Sequence, residues 1–153
     1  MSELTTGMPA PDVTLPRDGG EIVTLSDIKG PVVLYFYPKD DTPGCTKEAI
    51  GFTQELEGFA ASGATILGIS KDTVAKHEKF IAKHDLKIAL LSDAENDVCE
   101  RFGTWVEKQM YGKTYMGIER ATFLIADGKI ARIWRKVKVP GHVDAVLEAV
   151  RAL

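Results

Sequence analysis

Cysteine is scarce in this chain. Its 153 residues hold two, Cys45 and Cys99, too few for the disulfide framework of a small secreted domain and in keeping with a reducing compartment. Long apolar runs are missing too, and no stretch approaches the roughly 20 residues that a membrane-spanning helix needs. Positive charge is not in excess. The 19 Lys and Arg stand against 22 Asp and Glu, a net charge of −3, which gives nucleic acid or an anionic membrane no electrostatic foothold. The opening stretch MSELTTGMPAPDVTLP lacks the basic start, apolar centre and cleavage pattern of a secretory signal. Internal repeats, charge blocks and low-complexity linkers are absent as well. The expectation is a cytoplasmic protein with no nucleic-acid or membrane partner.

What remains is enough to build a core. Hydrophobic residues make up 44% and charged residues 27%, an ordinary globular balance, and the length suits a single domain over 1–153. Pro9, Pro11 and Pro16 mark an extended arm. DGGEIVTL reads as a hairpin turn leading into a short strand through Ile22, Val23 and Leu25. Residues 32–37, VVLYFY, form a β-branched and aromatic run, the pattern of a strand buried on both faces, and Pro38 ends it. From Thr42 to about Ser62, apolar residues recur at threes and fours (Ala49, Phe52, Leu56, Phe59, Ala60), which predicts a helix stopped by Gly63.

ATILGIS is a second buried strand, residues 73–84 are a helix, and IALLSD is a third strand. Ser92 or Asp93 caps a short helix carrying Val98 and Phe102. Residues 103–119 show no clear period and read as a long loop, a kind that tends to be functional. Two strands then flank Asp127-Gly128, a strong hairpin signal, and residues 142–153 close as an amphipathic helix. Strands that alternate with helices, followed by a hairpin, imply a three-layer α/β sandwich around a central mixed sheet.

The chemistry concentrates in YPKDDTPGCTKEAI, residues 37–50. Thiolate, not thiol, is the reactive form of cysteine, and its free pKa is about 8.5. A helix N-terminus favours the thiolate through unpaired N–H groups and partial positive charge. Cys45 has that position if Thr42 is the cap and Pro43 the first helical residue. Asp40 and Asp41 oppose it, and the expectation is that they face solvent and complement the helix dipole. An arginine from elsewhere must then tip the balance, and no spacing rule says which. The competing reading is that Cys45 is a small buried apolar residue.

Pro38-x-x-x-Thr42-x-x-Cys45 matches the active-site motif of peroxiredoxins, and YPKDDTPGCTKEA resembles their peroxiredoxin Q, or bacterioferritin comigratory protein, group. ILGIS-KD, LLSD and FGTW…YGKTYMGIERATFLI continue the likeness over essentially the whole chain. The resemblance implies a thioredoxin-like fold and a thiol peroxidase that reduces hydrogen peroxide and organic hydroperoxides without metal or organic cofactor. It makes Cys45 the peroxidatic nucleophile and Arg120 the arginine that supports the thiolate. Thr42 would hold the peroxide, Pro38 would shield the site, and Glu48 would orient the arginine.

The resemblance also exposes a gap. Many members carry a resolving cysteine five residues after the nucleophile, where this chain has Ile50, and others carry it on the next helix, where Ile81 stands. Only Cys99 remains. It packs beside the short helix, or resolves Cys45 after local unfolding, or bridges to another molecule. The favoured reading is a one-cysteine cycle reduced by an external thiol: thioredoxin, glutaredoxin or glutathione. A monomer is the expectation, with a dimer as alternative. The rival functions are a two-cysteine cycle through Cys99 and a redox sensor or holdase without turnover. A dithiol oxidoreductase is disfavoured, because Thr46, Lys47 and Glu48 leave no C-x-x-C pair.

The remaining candidates are weaker. His77, His84 and His142 form no metal-ligand pattern and are expected at the surface, with His77 and His84 able to share a helix face. Trp105, Tyr111 and Tyr115 are expected to pack, with a wall of the peroxide pocket or a subunit contact as alternatives. WRKVKV reads as a solvated basic strand end.

Overall fold

A computed structural model describes residues 3–153; the first two residues of the expected domain lie outside the described residues. Its centre is a five-stranded sheet in the order β5-β4-β3-β8-β9. β3 (Val32–Phe36) is the middle strand and is buried along its whole length, as a run without polar alternation demands. β4 (Thr65–Ser70) and β5 (Ala89–Ser92) lie parallel to it on one side. β8 (Ala121–Ala126) and β9 (Lys129–Trp134) form the expected antiparallel hairpin on the other. Asp127 and Gly128 turn that hairpin at φ 53° and 76°, the left-handed geometry that an Asp-Gly pair tolerates.

The sheet divides the core into two apolar layers. Val33 and Tyr35 of β3 join Cys45, Phe52, Phe59, Phe80, Val146 and Leu147 on one face. Val32, Leu34 and Phe36 join Leu15, Val98, Cys99, Phe102 and Phe123 on the other. The first layer is covered by α1 (Pro43–Gln54), α2 (Leu56–Ala61), α3 (Val74–His84) and α5 (His142–Arg151). The second is covered by α4 (Val98–Arg101) and by the ribbon of β1 (Thr14–Pro16) with β2 (Ile22–Thr24). This is the three-layer α/β arrangement with a mixed sheet.

Two local expectations need correction. The helix over 42–62 is two helices, broken at Glu55, and the bend brings both Phe52 and Phe59 onto the core with ring centroids 5.8 Å apart. The extended arm ends in β1, and the Asp18-Gly19-Gly20 turn joins it to β2 as the expected hairpin. Residues 103–119 are not a loop but a ribbon of β6 (Trp105–Met110) and β7 (Lys113–Ile118), paired only with each other. Both faces of that ribbon meet solvent along most of its length, so no period-two signal marks it. Its turn is Tyr111-Gly112, at φ 53° and 76°, and a tyrosine is not the residue that signals such a turn.

Gly68 in β4 lies under the ring of Tyr35. A Cβ there would sit 2.8 Å from Tyr35 Cζ and 2.8 Å from Leu90 Cδ2, and the Tyr35 ring is itself stacked on Phe52. Gly68→Ala should therefore destabilise the protein by about 1–3 kcal/mol through overpacking, read from the midpoint of urea unfolding. An unchanged midpoint would show that the core yields there.

Candidate active site

The end of β3 hands the chain to a tight loop, residues 37–42, which delivers Cys45 to the first turn of α1. Pro43 opens the helix with no N–H to lose. Thr42 stands before it in extended backbone (φ −91°, ψ 155°). The Thr42 hydroxyl does not accept from the helix, as a cap would; it donates to the Lys39 carbonyl at 2.9 Å. The first helical bond is Thr46 N–H to Thr42 O at 2.8 Å, so the Gly44 and Cys45 N–H groups have no intrahelical acceptor.

Cys45 is 1% exposed. Its sulfur accepts from Arg120 Nη2 at 3.3 Å, while Arg120 Nη1 donates to Glu48 Oε1 at 2.7 Å. Arg120 is distant in sequence and near in space because β8 pairs antiparallel with β3, setting Ala121 opposite Phe36. The residue before β8 thus arrives where β3 ends and the loop to Cys45 begins. Gly44 makes room for it: a Cβ there would lie 3.1 Å from Arg120 Nη2.

One guanidinium thus faces two acids. Burial pushes the Glu48 carboxyl up to about 7, against the pull of Arg120. Arg120 stays charged: burial works against it, and the Glu48 and Cys45 charges more than offset that, raising it above its usual value. Glu48 Oε2 and the Tyr35 hydroxyl are buried without a hydrogen-bond partner among the described residues. Burial, followed by the charges of Glu48 and Cys45, keeps the Tyr35 phenol protonated.

Cys45, Arg120 and Glu48 are therefore in direct contact, Thr42 stands at the helix start, and Pro38 lies at the far end of the loop. Pro38 lines a cleft of about 350 Å³ with Trp105, Lys108, Tyr115, Met116 and Ile118. Of the three expected packing aromatics, Trp105 is half-buried with the Lys71 ammonium 5.1 Å above its ring, but Tyr111 is 95% exposed and Tyr115 is exposed too. Lys108 carried no sequence signal. It donates to the Ile118 carbonyl at 2.5 Å and is lowered by burial and by Arg120, against the pull of Cys45.

Two surface expectations fail. Asp40 is buried, its carboxylate bonded to the Tyr37 hydroxyl and the His77 ring, each at 2.6 Å; only Asp41 faces solvent. His77 is fully buried, and His142 is buried with Nε2 2.8 Å from the Thr122 hydroxyl. In the basic strand end Lys136 and Lys138 are exposed as expected, while Arg135 is half-buried: it lies over the Phe123 ring and pairs with Glu3 at 3.5 Å.

Cys99 occupies the opposite layer of the core. Asp97, not Ser92 or Asp93, stands at the cap position of α4, but Asp93 reaches its free donors, accepting from the Val98 and Cys99 N–H groups at 3.2 and 2.8 Å. Burial, then the Asp93 charge, pushes the Cys99 thiol far up, which makes it a poor nucleophile. No group of three or more His, Cys, Asp or Glu among the described residues could hold a metal ion, and none of the helices is long and apolar enough to cross a membrane.

A thiol held by an arginine at a helix start, on a sheet of this order, defines a thiol-based oxidoreductase of the thioredoxin-like class. Comparison narrows the class. Residues 6–133 match the model of the AhpC/TSA family. A putative peroxiredoxin Bcp of Coxiella burnetii is 53% identical, over 94% of this chain and 97% of its own length. Peroxiredoxin Bcp of Escherichia coli K12 is 46% identical over 96% of each. Among solved structures, a Xylella fastidiosa peroxiredoxin Q variant superposes with a TM-score of 0.93 at 40% identity, covering 99% of this chain and 98% of that one. The Xanthomonas campestris bacterioferritin comigratory protein, studied for alkyl peroxide reduction, gives 0.90 at 44%, covering 97% and 98%. Serine variants of two cysteines are known for a Xanthomonas campestris peroxiredoxin Q, and those cysteines are as far apart in sequence as Cys45 and Ile81 here. This chain belongs to the AhpC/TSA family, in its peroxiredoxin Bcp, or peroxiredoxin Q, group. It is a thiol peroxidase.

Glu48 and His142 predict how stability depends on pH. The Glu48 carboxyl holds its proton to about 7 when folded but releases it near 4.5 when unfolded. Between those values the folded state binds more protons, so this group's contribution is lost as pH rises through the window. His142 acts in the opposite sense: burial, then Arg120, lowers it from 6.5 to about 4, so its contribution is lost as pH falls through that range. The stability difference between wild type and Glu48→Gln should therefore change steadily from pH 4.5 to 7. Urea titrations that give a constant difference would show that Glu48 does not titrate there.

Proposed function

We propose that this peroxidase works through a one-cysteine cycle in which Cys45, Arg120, Thr42, Pro38 and Glu48 have separate tasks. The observation that carries the reading is Arg120 Nη2 on Cys45 Sγ, with no second cysteine in that layer of the core. The Cys45 thiolate attacks one oxygen of the hydroperoxide in line with the O–O bond. That bond breaks, its electron pair leaves on the second oxygen, and a proton completes water or the alcohol. Cys45 becomes a sulfenic acid. Arg120 first stabilises the thiolate and then, with the free N–H groups of Gly44 and Cys45, the charge developing on the peroxide oxygens. Thr42, whose own proton is given to Lys39, accepts the hydroperoxide O–H. Glu48 fixes the second arm of Arg120. Pro38 walls the site from water beside the cleft.

Reduction then needs an outside thiol. The first thiol displaces water from the sulfenic acid and forms a mixed disulfide, and a second thiol releases Cys45. The opposite-layer placement and the raised thiol of Cys99 support its exclusion, since a disulfide needs Cα atoms within about 7 Å. Ile50 and Ile81 offer no alternative thiol. Thioredoxin, glutaredoxin or glutathione in the cytoplasm supplies the chemistry required, and the chain acts as a monomer.

Two experiments test the cycle. One equivalent of peroxide should add one oxygen to wild type and to Cys99→Ser alike, by intact mass. Turnover driven by dithiothreitol should be lost in Cys45→Ser and kept in Cys99→Ser. A Cys45–Cys99 disulfide in wild type would overturn the one-cysteine reading, and wild type that consumes no peroxide catalytically would point to a sensor instead. Separately, Arg120→Met should lower kcat/KM by about 10²–10³-fold, the usual loss for one donor aimed at developing charge. A loss under threefold would remove Arg120 from the mechanism.

A further inference from the structure

The loop that presents Cys45 carries two consecutive carboxylates, and α3 answers both. Asp41, at φ 60°, lies outside and pairs with Lys83 Nζ at 2.7 Å and His84 Nε2 at 2.8 Å. Asp40 lies inside. Its Oδ1 accepts from the Tyr37 hydroxyl, and its Oδ2 is 2.6 Å from His77 Nδ1. The other ring nitrogen, Nε2, is 2.8 Å from the Leu91 carbonyl oxygen. A carbonyl only accepts, so Nε2 carries a hydrogen. A contact of 2.6 Å between Nδ1 and a carboxylate oxygen then requires a second proton between those two atoms. Wherever that proton rests, the Asp40–His77 pair carries no net charge. His77 is 0% exposed and Asp40 9%, so water cannot perform that neutralisation.

The neighbourhood gives the charge a consequence. Cys45 and Tyr37 share one apolar layer with Tyr35, and the charges of both Cys45 and Asp40 act on the Tyr35 phenol. Around Cys45 stand Arg120 from the turn before β8, Glu48 from α1, Lys108 from β6 and the phenol of Tyr35 from β3. Around Asp40 stand Tyr37, His77 and Asp72, whose carboxylate accepts the Asp40 N–H at 2.8 Å, with Lys76, Lys79 and Lys83 along the outer cleft. Arg120 is already shared between two acids. An uncancelled Asp40 would add a third acid to those acting on this layer through Tyr35, and the buried proton donor that α3 sets against it is His77.

We propose that His77 is a positioning residue for the peroxidase reaction: its proton cancels the Asp40 charge on the loop that leads to Cys45 and fastens that loop to α3. This rests on Cys45 reacting as a thiolate. The two functions of the pair separate by substitution. Asp40→Asn keeps the shape, since its amide oxygen still accepts from Tyr37 and its NH₂ donates to a neutral His77 Nδ1. His77→Gln removes the proton source and leaves the carboxylate.

The test is single-turnover oxidation of Cys45 by hydrogen peroxide as a function of pH, with thermal melting of each variant alongside. His77→Gln should slow oxidation at neutral pH about tenfold, one unit of displaced titration, and should move the rate profile to higher pH. Asp40→Asn should stay within about twofold of wild type, and Asp40→Asn/His77→Gln should recover most of the loss, because removing the charge removes the need for its proton. A wild-type profile in His77→Gln overturns the proposal. So does a double variant as slow as His77→Gln, which would assign the loss to packing. A second measurement needs no variant to fold: wild type should show a far-downfield ring N–H proton resonance of His77, and its absence overturns the shared proton. If wild-type Cys45 is not oxidised at all, it is the peroxidase reading that fails.

Discussion

A single guanidinium serves two buried acids, and the site is organised around that shortage. Arg120 reaches the Cys45 sulfur with one nitrogen and the Glu48 carboxylate with the other. Burying a charge without a partner costs several kcal/mol, so neither acid is tolerable there without the arginine, and the arginine is not tolerable without at least one of them. The arrangement places Glu48 on the edge of titration while the sulfur keeps access to the cation. A sharp turn from β3 into α1, a glycine at position 44 and the antiparallel pairing of β8 with β3 are all needed to bring three such groups together.

The central sheet imposes the second constraint. Its inner strands β4, β3 and β8 are buried on both faces, so it separates two dry layers, and each layer holds one cysteine. On one side Arg120 donates to a sulfur in the first turn of a helix. On the other, burial and the Asp93 carboxylate oppose charge on sulfur. The same residue type meets an arginine in one layer and a carboxylate in the other, so the two sulfurs differ in the charges within reach of each. The α3 helix acts in the first layer alone, where its histidines meet the two aspartates of the active-site loop.

Long periodic elements were legible in the chain because burial repeats along them. β3 reads as a doubly buried strand, residues 73–84 as the helix that became α3, and the Asp127-Gly128 hairpin as its turn chemistry demands. The ribbon of β6 and β7 was not legible, since it is exposed on both faces and carries no alternating pattern. The histidines misled for a related reason. A polar side chain in an amphipathic helix is placed by its angular position, and His77 and His84 do share a face, but that face turns toward the loop and the core rather than toward water.

Near neighbours along the chain set the local chemistry: a proline-ended strand, a threonine and a proline at a helix start, and a cysteine in its first turn, all within one short run. These follow from backbone preferences and spacing that act between near neighbours. Which arginine meets that sulfur, which of the loop's two aspartates is buried and which histidine pairs with it were settled by the three-dimensional packing. Those choices depend on strand order and on which helix covers which face, and electrostatic partners in a dry layer are selected by distance in space, which no spacing along the chain encodes.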